Sequence, residues 1–438
     1  MSANPKISLI LTCLLTAQTS SMDAAEMIAG TSRIDMTPPR HMKAALGGYG
    51  ARMSQPAQGV RDPVFVKAIV LSDGSRRFAL LTADLLGFPP TFKPMLTRHL
   101  APNGWQSSQI LLLPSHSHTS IEMNAINSAN TFGIEQIGIF DEALLQWTIN
   151  KCGQAIVAAS ENLTAVHAGT ASMQLSGWNR NRRRRDGFVD DTLTITRIDK
   201  VSGDPLAVLV NFTAHPTFMG PEHMLFSGGW PGHLQKTLER MIGHGVNVLY
   251  YNGAEGDQAP VGRPEAAADR WLAAEQYGKA VAEQAHGVWQ KVSQVLPVDF
   301  DFHSQRIELP QTTWHPDFMQ TGGAEYGLSE NQLRKMLPIM FPRQTASGSL
   351  RLGNLIIVGV PGEMTADLGK QIKDQISAAT NVPYVTIGGL ANEWISYILS
   401  AAEYKRGGYE ASVSFYGSQL GDTVVQGAVN GASKLKAN

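Results

Sequence analysis

Apolar residues along this chain alternate between short β-branched runs and longer stretches of helical spacing. Runs at Val64–Leu71, Phe78–Ala83, Gln109–Leu113, Val166–Met173 and Leu193–Ile198 predict strands. So do Ala207–Phe212, Val246–Tyr251, Phe300–Leu309 and Leu350–Val360, often with Gly or Asp at their ends. Stretches with apolar residues three and four apart predict helices over Phe140–Ser160, Gly232–Met241, Glu265–Val292, Ser329–Leu337 and Thr365–Ile376. Ser329 stands three residues before Gln332, the spacing of a capping box. Strands alternating with helices imply α/β architecture, with a mixed β-sheet core flanked by helices. No internal repeat or low-complexity linker divides the chain. Ser304–Arg351 is less regular and is expected to be a surface excursion or lid. Within it, Met336–Phe341 is apolar enough either to be buried or to line an entrance.

Composition narrows the class. The chain has 438 residues, with 36 Lys plus Arg against 37 Asp plus Glu and a formal net charge of −1. That balance excludes a simple electrostatic nucleic-acid binder, which would be basic. Hydrophobic residues make up 43% and charged residues only 17%, which excludes a disordered chain. Two cysteines cannot make a disulfide scaffold. Residues 1–25 read as an export signal: Lys6, an apolar run Ile7–Leu15, then small residues down to Ala24 and Ala25. The expected location is therefore periplasmic or secreted. Cys152, the cysteine left after cleavage, lies in a helical pattern and is expected to be a small buried hydrophobe.

Candidate chemistry gathers where predicted strands end, which is where α/β folds build their sites. Pro114-Ser115-His116-Ser117-His118-Thr119 follows the strand Gln109–Leu113. Its two imidazoles suit one metal, or one ligand and one acid–base group; an ordinary loop gives the same pattern. Thr213-Ala214-His215-Pro216-Thr217 follows Ala207–Phe212, and Pro216 biases His215 toward an extended conformation. Asn252-Gly253-Ala254-Glu255-Gly256-Asp257-Gln258-Ala259-Pro260 follows Val246–Tyr251, and its small residues allow close backbone approach. Val360-Pro361-Gly362-Glu363 lies at a strand-to-helix junction. Strand ends carrying His, His and Glu are what a catalytic zinc site requires: three protein ligands and an open position.

The order of these motifs resembles a known family. They run through Asp35-Met36-Thr37-Pro38-Pro39, Thr82-Ala83-Asp84, His116 and His118, Asn179-Arg180, Ala214-His215-Pro216-Thr217, Gly256-Asp257, Pro361-Gly362-Glu363 and Tyr397 with Tyr409. In that order they resemble the catalytic domain of the neutral/alkaline (non-lysosomal) ceramidases. The resemblance implies a zinc amidohydrolase that cleaves ceramide, or a related N-acyl lipid, to fatty acid plus amine. It implies one zinc held by His116, His215, Glu363 and Tyr397. His118, Arg180 and Tyr409 would be catalytic, handling protons or donating to the oxyanion. Asp84, Gly256 and Asp257 would support the site from behind or shape its turns. Its implied partners are a small-molecule or lipid substrate and, transiently, a membrane surface, with no nucleic acid and no protein partner. The run Arg182–Arg185 is expected to be a solvated loop; meeting an anionic headgroup is its other reading.

Two departures from the family stand out. Ala259 occupies the position where ceramide-cleaving members carry a serine. The length also suggests a single catalytic domain over residues 26–438 without the family's C-terminal immunoglobulin-like domain. The readings kept beside ceramide cleavage are therefore hydrolysis of another small amide or ester, and a non-catalytic binding homologue.

Overall fold

A computed structural model describes residues 1, 27–262, 268–292 and 296–436. The expected export signal, apart from Met1, lies outside the described residues. The main strands are β1 (Ile28–Asp35), β2 (Phe65–Ser72), β3 (Arg77–Ala83), β4 (Ile110–Pro114), β5 (Thr164–Gln174), β6 (Asn179–Asn181), β7 (Thr192–Lys200), β8 (Pro205–Asn211) and β9 (Asn247–Tyr251). They continue as β10 (Gln258–Pro260), β11 (Phe300–Glu308), β12 (Gln344–Leu352), β13 (Leu355–Gly359), β14 (Glu363–Met364), β15 (Tyr384–Gly388) and β16 (Tyr397–Ile398). The main helices are α1 (Phe92–Leu100), α2 (Glu142–Ser160), α3 (Gly229–Ile242), α4 (Arg270–Lys291), α5 (Glu330–Met340), α6 (Ala366–Thr380) and α7 (Leu420–Ala432).

The architecture is mixed α/β, as the alternation implies, but it holds two substantial sheets. The larger runs β9-β8-β7-β5-β1-β2-β3-β4, and the smaller runs β11-β12-β13-β15. In the first, β8 with β9 and β3 with β4 are parallel, while β1 with β2 and β7 with β8 are antiparallel. In the second, only β13 and β15 run parallel.

Side-chain alternation explains how the layers stack. On β2, Val66, Ala68 and Val70 join a core with Leu96 of α1 and Leu145 and Ile149 of α2. The intervening Ile69 and Leu71 join Leu111, Leu249, Leu350 and Ile357, residues from both sheets. A third core packs Val208 and Val248 on Leu234 of α3 and Val281 of α4. A fourth packs Ile356 and Val358 on Ile372 of α6 and Val424 of α7. Two sheets thus face each other with helices outside both. Central strands covered on both faces read as continuous apolar runs, which is why they were legible. Truncating Leu111, fully buried between the sheets, to Ala is expected to cost about 2–5 kcal/mol.

Several expectations need correcting. The run Leu350–Val360 is not one strand: it turns at Gly353-Asn354 between the antiparallel β12 and β13. The irregular stretch is shorter than expected, because β11 and β12 pair from Phe300↔Leu352 to Glu308↔Gln344. Between them, α5 begins at the Ser329/Gln332 capping box. The helix expected over Glu265–Val292 spans Arg270–Lys291, and residues 263–267 lie outside the described ones.

Candidate metal centre

Four strand ends converge on one point. His116 sits two residues beyond β4, and its φ of +65° is unusual for a residue with a side chain. His215 follows β8, the Glu255 turn follows β9, and Glu363 follows β13. Glu363 is the register partner of Tyr397 in the short parallel pairing of β14 and β16. The sites of His116 and Glu363 are almost 250 residues apart in sequence, yet His116 Nε2 lies 3.5 Å from Glu363 Oε2. His215 Nε2 lies 3.1 Å from the same oxygen and 3.2 Å from His116 Nε2.

The hydrogen bonds behind these groups decide what they present. His116 Nδ1 faces the Leu86 carbonyl at 2.6 Å, and His215 Nδ1 faces the Glu255 carbonyl at 2.8 Å. A carbonyl only accepts, so each Nδ1 carries the proton and each Nε2 keeps a lone pair. Glu363 Oε1 accepts from Trp394 Nε1 at 2.8 Å, leaving Oε2 without a hydrogen-bond partner among the described residues. Three buried acceptor atoms therefore point at one another with no donor between them. Such an arrangement is repulsive on its own and fits a cation at its centre.

The protonation states agree with that fit. Burial, and then the charge of Arg182, brings His215 down to about 4. A neutral imidazole beside an ionised carboxylate is the form in which these groups ligate metals.

His118 joins the cluster differently. Its Nε2 is 3.3 Å from His116 Nε2, and His116, His118 and His215 offer nitrogens all within 4.8 Å of one another. Its buried Nδ1 has no partner among the described residues, so neither tautomer is fixed. Burial, with the neighbouring His116 and His215, keeps it well below its ordinary value and hence neutral.

The cluster forms the polar end of a cleft of about 140 Å³. His116, His118, Glu363, Tyr397 and Tyr409 line that end, and Phe318, Leu333, Met336, Met340, Phe341 and Phe415 line the other. Met336–Phe341 thus does both things expected of it: Met336 and Met340 are buried and also form cleft wall. Tyr409 Oη lies 3.1 Å from Tyr326 Oη, and burial, then Glu325, pushes its hydroxyl up, keeping it protonated. Tyr397 Oη accepts from Arg182 Nη2 at 3.0 Å.

Arg180 is not brought to this site. It is exposed on β6, where it pairs with Ala259 of β10, while Asn179 and Asn181 turn inward. The arginine that reaches the cluster is Arg182, beyond the end of β6, where the strand's alternation no longer applies. Its Nε donates to Glu410 Oε1 at 2.8 Å and its Nη2 to Gly256 O at 2.9 Å. Arg183 is buried against Glu410 and Glu403. The solvated-loop reading of 182–185 therefore fails for these two residues, whose carboxylate partners lie more than 200 positions away. Asp84 also misses the His116 and His215 imidazoles. It accepts from Phe65 N at 2.9 Å and Gln235 Nε2 at 3.1 Å, and backbone carbonyls take the orienting role expected of it.

Gly256 and Asp257 shape the turn. Gly256 packs so closely on Glu363 O that a Cβ there would overlap it. Asp257 accepts from Ala366 N at the start of α6 and from Asn181 Nδ2. Glu255, Arg182 and Trp394 were not singled out from sequence. The available signal for Glu255 was a lone acidic residue inside a buried turn of small ones.

Fold and site together define a two-sheet α/β protein with a buried His/His/Glu metal-type centre at strand carboxyl ends. The family described as neutral/alkaline non-lysosomal ceramidase, N-terminal, matches residues 27–250 and 331–426. The chain belongs to that family. Among solved structures, a neutral ceramidase from Pseudomonas aeruginosa superposes with a TM-score of 0.78 at 18% identity, covering 95% of this chain and 76% of that one. A ceramidase complexed with C2 gives a TM-score of 0.80 at 17% identity, covering 94% and 76%. These matches show the shared fold. Neutral ceramidase B of Dictyostelium discoideum is 25% identical over 181 residues, 36% of this chain. Neutral ceramidase 2 of Arabidopsis thaliana is 35% identical over 77 residues, 16% of this chain. The aligned stretches span 24% and 10% of those two proteins.

Proposed function

We propose that this protein is a zinc-dependent amidohydrolase cleaving the N-acyl amide of ceramide, or of a related N-acyl lipid, to a fatty acid and an amine. The observation that carries this reading is the Glu363 oxygen without a hydrogen bond, facing two lone-pair imidazole nitrogens at the polar end of a largely apolar cleft. His116, His215 and Glu363 would hold the zinc, with Tyr397 as a further donor. A zinc ion held by these residues would supply Lewis-acid polarisation of a carbonyl and a bound water with a pKa of about 7.

The chain's own residues supply the rest. Water adds across the amide, so the carbonyl carbon gains a hydroxyl and the nitrogen gains a proton as the C–N bond breaks. His118, with no fixed tautomer, carries that proton to the leaving amine. Tyr409 keeps its proton and donates to the oxyanion. Arg182 holds Tyr397 in place. The wall of Leu333, Met336 and Phe341 takes the acyl chain. Addition of water from a metal centre needs no serine nucleophile, and Ala259 is not among the residues lining the cleft. The pattern from Lys6 to Ala25 supports action after export, in the periplasm or outside the cell.

The test is fatty-acid release by the zinc-loaded protein from N-acyl sphingosines, set beside short-chain amides and esters. Turnover of the long-chain amide is expected. Turnover confined to short substrates would leave a zinc hydrolase and refute the lipid assignment, and no turnover at all would favour a binding homologue.

A further inference from the structure

Glu255 is a buried carboxylate that the proposed chemistry leaves without a role. Its backbone oxygen faces His215 Nδ1, while its side chain turns inward. One carboxylate oxygen, a His116 ring nitrogen and a Glu363 carboxylate oxygen all lie within 4.8 Å of one another. Glu255 has no solvent exposure, and neither of its carboxylate oxygens has a hydrogen-bond partner among the described residues. The side chain is pressed against Gly389, where a Cβ would overlap Oε2. No hydrogen bond joins it to Arg182, whose Nε donates to Glu410 and whose Nη2 donates to Gly256 O and Tyr397.

An ionised carboxylate without a hydrogen bond is costly to bury, and Arg182 acts on this one only through space. Here two carboxylates share one small space, and the imidazoles around them offer lone pairs. We propose that Glu255 is an additional protein ligand of the cation held by His116 and Glu363. This inference rests on the metal-hydrolase reading above. It makes the donor set richer in carboxylate than two histidines and one glutamate alone. Oxygen-rich sets suit manganese better than imidazole-rich ones, so zinc should be preferred over manganese less strongly with Glu255 than without it.

The test uses purified full-length protein, stripped and then titrated with zinc or manganese alone against a chelating indicator. Glu255→Gln keeps the shape and removes the charge. It is expected to weaken zinc binding about tenfold or more and manganese binding further still. It should also reduce the rise in Tm that saturating zinc gives the wild type. If the wild type binds zinc and E255Q binds it equally well, this inference is overturned while the hydrolase reading stands. If the wild type binds neither ion, both fall. A readout on the wild type covers the case in which E255Q does not fold. The infrared difference spectrum on zinc loading is expected to show two perturbed carboxylates, and a single one, lost in Glu363→Gln, would overturn the assignment.

Discussion

Around Lys67 lies a second buried polar cluster, which shares strand β9 with the centre at His116. Lys67 Nζ donates to Glu239 Oε1 at 2.6 Å and to Val248 O at 2.8 Å, and Arg33 takes the other Glu239 oxygen at 3.0 Å. Asp84 beside it has both oxygens hydrogen-bonded. Around His116 the opposite holds: Glu363 Oε2, both Glu255 oxygens and His118 Nδ1 lack hydrogen bonds. Lys67 and Asp84 are as buried as His116 and Glu363, so burial does not separate the two. Pairing does. A satisfied cluster is internally complete and holds the fold together, whereas one left with converging acceptors has room for a guest.

The largest effects should break this contrast at its unsatisfied end. Glu363→Ala removes a proposed ligand and is expected to abolish both bound zinc and hydrolysis while leaving a cooperatively folded protein, checked by metal analysis, fatty-acid release and thermal melting. Next comes the satisfied end. Lys67→Met takes away one partner of Glu239, which keeps Arg33 and Val248 N, and is expected to cost about 1–3 kcal/mol of stability in urea unfolding. Its zinc affinity should be unchanged; a loss of zinc there would dissolve the distinction between the clusters.

Asp84 sharpens the contrast through pH. Burial, against the pull of Lys67, raises its carboxyl from 3.8 to about 6. The folded state therefore holds this proton more tightly than the unfolded chain does. The group's contribution is full below the ordinary value and is lost as pH rises toward 6. The loss should be on the order of 3 kcal/mol at most. Stability measured between these values should slope downward with rising pH, and Asp84→Asn should flatten the slope. The smallest effect is expected from Trp394→Phe. It frees Glu363 Oε1 from its hydrogen bond and should weaken zinc binding by about 10–100-fold, measured by chelator competition.

The same contrast explains what the sequence disclosed. The meeting of His116, His215 and Glu363 was legible because each follows an apolar strand, and strand ends are where such folds build their sites. Asp84 follows a strand as well, but its side chain belongs to the satisfied cluster, and which way a strand-end residue turns is set by tertiary packing. Arg180 and Arg182 share a parity, yet the strand ends at Asn181 and only the second turns inward. Glu255 was hidden because its neighbours read as a tight turn, and an unpaired carboxylate becomes visible only when every possible partner has been placed. Among the longer elements, β1, β15, α1 and α7 were not anticipated. Gly421, Gly427 and Gly431 lower the intrinsic helix propensity of α7, which forms against the smaller sheet through packing. The second sheet was obscured because β12 and β13 join through a two-residue turn inside one apolar run.

The central claim is that the acceptors converging at His116 hold a catalytic metal. Metal content of the purified wild type and of Glu363→Ala, after identical exposure to zinc and removal of excess, tests it most directly. The account predicts about one zinc per wild-type chain and almost none in the variant. A wild type without zinc, or a variant that retains it fully, would contradict the claim.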